Sequence, residues 1–301
     1  MSPVPIATAN DVELCYDTLG DPGGVPVLMI AGLGVQLIDW ADHLLAPLVD
    51  AGLHLILFDN RDAGLSSRFH GAPDDPAALI ESLMAGDDPD IAYTLTDMAG
   101  DAVALLDALE LESAHLLGMS MGGMIAQIAA IMYPERLRSL VSIMSTTGAP
   151  DVGQPTPAAL DALLSAPPDD DPETVLRHAI ASARIWASPD HFDEPMMRSS
   201  FLAAWERSGG PEPTATARQL CAVLASPPRD DLLALVDAPS LVIHGSADTL
   251  IAPSGGERTA ASIAGAELLL IDGMGHDMPT AFATRIAEAI TRHVTGAEAG
   301  D

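Results

Sequence analysis

The chain has no lysine. Its thirteen basic side chains are all arginine, set against 43 aspartates and glutamates, and the formal net charge is −30 over 301 residues. A surface that acidic repels phosphate backbones and anionic lipid heads, which argues against a nucleic-acid partner and against membrane association. Absent lysine combined with abundant Ala, Arg, Asp and Pro hints at a GC-rich or salt-adapted source. Cysteine is nearly missing as well. Cys15 and Cys221 stand alone, far apart, and match neither a zinc nor a redox spacing, so both read as plain thiols; the chemistry read below calls for no metal or organic cofactor. No apolar run approaches the ~18 residues of a membrane span. Met1 to Asp11 carries neither the basic nor the apolar region of a signal peptide. The expectation is a cytoplasmic protein, monomeric or homodimeric.

What is present is a large core. Hydrophobic residues make up 48% of the chain, and 301 residues suit one sheet-based domain carrying an insertion. Short apolar runs alternate with helix-like segments, the signature of an α/β fold with a mostly parallel sheet flanked by helices. The runs are Val25–Ile30, Leu53–Phe58, Ala114–Leu117, Leu140–Met144, Ser240–Ile243 and Glu267–Ile271, and residues 4–19 read as an antiparallel pair at the sheet edge. Strands buried on both faces should be continuously apolar, as these are. Asp97–Leu109 has helical spacing, with Thr96 as a plausible N-cap. Gly122–Tyr133 is apolar nearly all round and is stopped by Pro134. Phe282–His293 reads as the last helix, and 294–301 as a frayed tail. Between Gly148 and Asp231 the rhythm breaks: proline pairs, the acidic run Asp169–Asp171 and helical stretches occur without a clear strand. The expected organisation is a core of residues 1–147 and 232–301, with 148–231 inserted as a helical cap.

The chemistry centres on Gly118-Met119-Ser120-Met121-Gly122, which follows an apolar strand and opens an apolar helix. A strand, then G-x-S-x-G, then a helix forms a turn so tight that serine sits in a strained conformation with its hydroxyl exposed. A serine hydroxyl needs a base. Of nine histidines, His276 lies in a glycine-rich loop just after the last apolar run, where a parallel sheet presents its C-terminal edge; His244 is the near rival and is given a supporting place. The imidazole needs an orienting carboxylate, and Asp248 follows a strand in the Ser, Asp, His order of this arrangement. Two backbone N–H groups should face the developing oxyanion. Met121, next after the serine, is one, and Leu33 in Ala31-Gly32-Leu33-Gly34 is the other. Gly32, Trp40, Met119, Trp186, Met274 and Met278 are the expected substrate-binding residues, an apolar and Met-rich lining suited to a small or medium hydrophobic ester.

These stretches, with Asp59-Asn60-Arg61-Asp62-Ala63-Gly64-Leu65-Ser66, resemble the α/β-hydrolase superfamily, and within it a bacterial esterase branch of aclacinomycin methylesterase-like proteins. The resemblance implies a serine esterase working through an acyl-enzyme. It also leaves open a lactonase, a C–C bond hydrolase, a cofactor-free perhydrolase and a hydrolase-like ligand receptor. Two positions depart from the pattern. Ala31-Gly32 stands where many relatives have His-Gly, and Asp62 stands where many have glycine.

Overall fold

The computed structural model describes residues 4–87, 90–210 and 212–300. Its strands are β1 (Ile6–Ala9), β2 (Val12–Leu19), β3 (Val25–Ile30), β4 (Leu53–Phe58), β5 (Ala114–Met119), β6 (Leu137–Ile143), β7 (Ser240–Gly245) and β8 (Glu267–Ile271). They join in one eight-stranded sheet ordered β1-β2-β4-β3-β5-β6-β7-β8. The β1–β2 and β2–β4 pairs are antiparallel, and all later pairs are parallel.

Alternation within the strands explains the layers. In β3, Leu28 and Ile30 face one side, while Val27 and Met29 face the other. The first side is covered by α3 (Leu95–Ala108) and α4 (Met121–Met132), the second by α1 (Asp42–Asp50) and α11 (Thr280–Gly300). The remaining helices are α2 (Pro76–Ala85), α5 (Pro157–Leu164), α6 (Pro172–Trp186), α7 (Glu194–Ser208), α8 (Pro213–Leu224), α9 (Asp230–Leu233) and α10 (Ser254–Ser262). Ten of the twelve residues of α4 are buried, which accounts for a helix apolar on every face. Each fully buried aliphatic side chain there, such as Ile125, contributes roughly 1.5–3 kcal/mol. Among the described residues no helix is long and apolar enough to cross a membrane.

Three local expectations are corrected. The N-cap of α3 is Thr94, not Thr96, because Thr94 and Asp97 cap each other reciprocally, the Thr94 hydroxyl accepting from the Asp97 amide and the Asp97 carboxylate from the Thr94 amide. The C-terminal helix does not fray after His293 but continues to Gly300. Val294 is fully buried, and the Glu298 carboxylate meets His115 and Arg138 at the base of β5 and β6. Finally, β8 is less buried than its apolar sequence suggests. It is the last strand of the sheet, and Leu268 and Leu270 remain exposed.

Parallel strands share one C-terminal edge, so the turns after β3, β5, β7 and β8 converge there. Of the five helices between β6 and β7, four, α5 to α8, reach over that edge.

Candidate active site

Ser120 sits between β5 and α4 with φ 55° and ψ −120°, a left-handed conformation that a β-carbon disfavours. Two glycines make the turn possible. A Cβ at Gly118 would collide with the Gly122 carbonyl, and one at Gly122 with the Ile30 carbonyl of β3. The turn is fixed by the Ser120 amide donating to Ile143 O at 2.9 Å and by the Ser145 hydroxyl donating to Ser120 O at 2.8 Å.

His276 and Asp248 meet this serine from loops far away in sequence. His276 Nε2 lies 2.9 Å from Ser120 Oγ, and its Nδ1 lies 2.7 Å from Asp248 Oδ2. A carboxylate can only accept, so Nδ1 carries the proton and Nε2 is left to receive the serine hydroxyl. The other Asp248 oxygen accepts the amides of Leu250 and Ile251, each at 2.9 Å. Burial presses the Asp248 carboxyl upward. The charge of His276 and hydrogen bonds from His244, His276 and the Ile251 amide outweigh it and hold the group at about 2. His244 is fully buried, with Nε2 2.8 Å from Ile251 O and 3.4 Å from Asp248, a supporting position beneath the acid.

The turn after β3 is equally determined. Asn60 Nδ2 donates to Ala31 O, the Val35 amide to Gly32 O, and the Gly34 amide to Gln219 Oε1 of α8. Among the described residues, the amides of Leu33 and Met121 have no acceptor in the chain. Asp62, with φ 65°, occupies a left-handed turn position that suits the glycine of the family pattern. Its carboxylate is tied to Arg218 of α8 through two bonds of 2.9 Å, to the Tyr93 hydroxyl and to the Phe69 amide. Burial raises this carboxyl, but those partners together hold it below its ordinary value.

A cavity of about 560 Å³ opens over Ser120 and His276, within the size range of small-molecule sites. Gly32, Leu33, Met119 and Trp186 line it. Trp40, Met274 and Met278 do not. Trp40 and Met274 are buried with the α1 and α11 face of the sheet, and Met278 packs partly against the same core. Met274 and Met278 are neighbours of His276 in the chain, but their side chains pack into that core rather than toward the cavity. The chain instead adds Met197, Phe201 and Trp205, all from α7 or its first turn. Trp205 was one of only three tryptophans, and composition alone could have flagged it. Asp39 also lines the cavity, its carboxyl pushed up to about 6 by burial, against the hydrogen bond from the Gln36 amide.

The model of the alpha/beta hydrolase fold family matches residues 25–279. Rhodomycin D methylesterase of Streptomyces sp. strain C5 is 30% identical over 98% of this chain and 99% of its own length. The 2-hydroxymuconate semialdehyde hydrolase of Pseudomonas sp. strain CF600 is also 30% identical, over 93% of this chain and 91% of its own. Among solved structures, the enol-lactonase from Burkholderia xenovorans LB400 superposes with a TM-score of 0.70 at 23% identity, covering 98% of this chain and 100% of the other, which speaks to the fold alone. With the sheet order, the serine turn and full-length relatives in agreement, the chain belongs to the α/β-hydrolase family.

Proposed function

We propose that the protein is a carboxylic ester hydrolase in which Ser120 is the nucleophile, His276 the general base and Asp248 the orienting acid. One observation carries this reading: Ser120 Oγ, in a strained turn at a cavity wall, lies 2.9 Å from an imidazole whose other nitrogen is held by a buried carboxylate. His276 takes the Ser120 proton as the hydroxyl attacks the ester carbonyl. The amides of Leu33 and Met121 receive the oxyanion, which suits their lack of other acceptors. Asp248 steadies the imidazolium. His276 then protonates the leaving alcohol, and water repeats the sequence on the acyl-enzyme. The α5–α8 helices act as a cap, offering Trp186, Met197, Phe201 and Trp205 to a hydrophobic substrate. Likeness to a methylesterase along the whole chain supports an ester of a small alcohol.

A second reading, C–C bond hydrolysis by the same residues, is favoured by the likeness to 2-hydroxymuconate semialdehyde hydrolase. A panel of p-nitrophenyl esters, methyl esters and vinylogous diketones separates the two. The decisive test of both is Ser120→Ala. It should abolish hydrolysis and fluorophosphonate labelling while the fold persists, and retained turnover refutes the assignment.

A further inference from the structure

The loops bearing His276 and Asp248 are gripped by a four-residue segment at the C-terminal end of α6. The Thr249 hydroxyl, next after Asp248, donates to Ile185 O at 2.9 Å. The His276 amide donates to Trp186 O at 2.6 Å. The Gly275 amide donates to Ser188 Oγ at 2.9 Å, while Ser188 passes its own amide and hydroxyl to Asp277 Oδ1 at 2.9 and 2.5 Å. The fit is close, since a Cβ on Gly275 would run into the backbone of Trp186, Ala187 and Ser188. Ser188 is wholly buried. Neither Ser188 nor Asp277 lines the cavity, so neither is needed to hold a substrate.

The geometry points to Ser188 and Asp277 as positioning residues: a clasp through which α6 sets where the His276 ring stands relative to Ser120. The inference rests on the triad reading above. A β-strand supports a side chain through its ladder, but His276 lies beyond β8, in a loop with Gly273 and Gly275 as neighbours. Such a loop has little intrinsic stiffness. Among the described residues, its amides at 275 and 276 find their acceptors on the α6 segment alone. The arrangement also joins binding to chemistry, because Trp186 lines the cavity while its carbonyl holds the His276 amide. A substrate pressing on that residue presses on the peptide that places the base.

Three variants test the clasp: Ser188→Ala, Asp277→Ala and Asp277→Asn. Asparagine keeps an oxygen to accept both Ser188 donors and removes only the charge. Since a misplacement of about 1 Å can cost 10²-fold, kcat on p-nitrophenyl butyrate is expected to fall at least about tenfold in both alanine variants. KM should stay within about twofold, the mark of an interaction that serves the transition state rather than binding. Asp277→Asn should retain most of kcat. Unchanged kcat in Ser188→Ala, a rise in KM alone, or an Asp277→Asn variant as impaired as Asp277→Ala overturns the clasp. A second measurement needs no turnover. The proton between His276 Nδ1 and Asp248 Oδ2, 2.7 Å apart, should give a far-downfield proton resonance, assigned by its loss in His276→Gln. It should shift or broaden in Ser188→Ala and persist in Asp277→Asn, and an unaltered resonance in Ser188→Ala refutes the inference. This readout stays valid even if Ser120→Ala hydrolyses esters as well as the wild type does, a result that sinks the triad reading alone.

Discussion

Helices α4 and α7 are built on opposite terms. In α4 ten of twelve residues are buried, and the helix is held by area. In α7 none of fifteen is fully buried, and the helix is held by points. Arg207 near its end reaches the buried Asp59 at 2.8 Å and Gln36 at 2.7 Å. Next to it, α8 is pinned by Arg218 on Asp62 and by Gln219, which bridges Arg61 O and the Gly34 amide. A region held by area tolerates imprecision and resists unfolding. A region held by a few directed bonds is cheaper to reshape and more exposed to the loss of one partner.

The largest effect should come from opening the area-held part. Phe58 is fully buried at the end of β4, and Phe58→Ala is expected to lower stability by about 3–5 kcal/mol, read as a shift of the urea midpoint with unchanged slope. Next comes the seam. Arg218→Met strands the buried Asp62 carboxylate and should cost about 3 kcal/mol, because removing one partner of a buried pair leaves an uncompensated charge. Adding Asp62→Asn to it should recover most of the loss. Should the single variant prove neutral, the directed bonds do not hold the α8 seam and the contrast with α4 fails.

A smaller effect, of opposite sign, belongs to Asp39. Its carboxyl ionises at about 6 in the folded chain and near its ordinary value of 3.8 when unfolded. As pH rises the unfolded chain gives up this proton first, so the stability the protonated form contributes is whole below about 3.8 and lost by about 6. Asp39→Asn should therefore stabilise the protein by about 1–2 kcal/mol at pH 7.5 and by nothing at pH 3.5, compared by urea titration at both. Equal effects at the two pH values would remove the burial argument. The smallest change is expected at the far end of α11. Glu298→Gln loosens a partly exposed contact with His115 and Arg138 and should cost about 0.5–1 kcal/mol in the same titration. A null result there would leave Val294 and its neighbours as the whole anchor of the last turns.

The same contrast governs what could be read from the sequence. Area leaves a pattern. β3 and β4 were legible to the residue from apolar runs, and α4 to within one residue at each end from apolarity on all faces. The serine turn was legible because steric necessity fixes its glycines. That His276 and Asp248 meet Ser120 was legible because topology decides which loops share an edge. Directed bonds leave no pattern in one dimension. Nothing near Arg218 announces Asp62, 156 residues away, and nothing near Glu298 announces His115. For the same reason the C-terminal helix was expected to end too soon. The cavity lining was partly misjudged because sequence proximity to Ser120 and His276 stood in for direction: Met274 points into the core while Trp205, remote in sequence, lines the cavity.

Both tethering carboxylates, Asp59 and Asp62, come from a single four-residue turn after β4, and both guanidiniums from the excursion between β6 and β7. That turn works as a socket. A different helical segment spliced in at the same place can plug into it by offering two arginines at the right separation. One that offers none leaves two anionic groups stranded in the protein interior. Two ion pairs thus join the helices between β6 and β7 to the turn after β4, beside the hydrogen bonds of Gln219 and of the α6 segment.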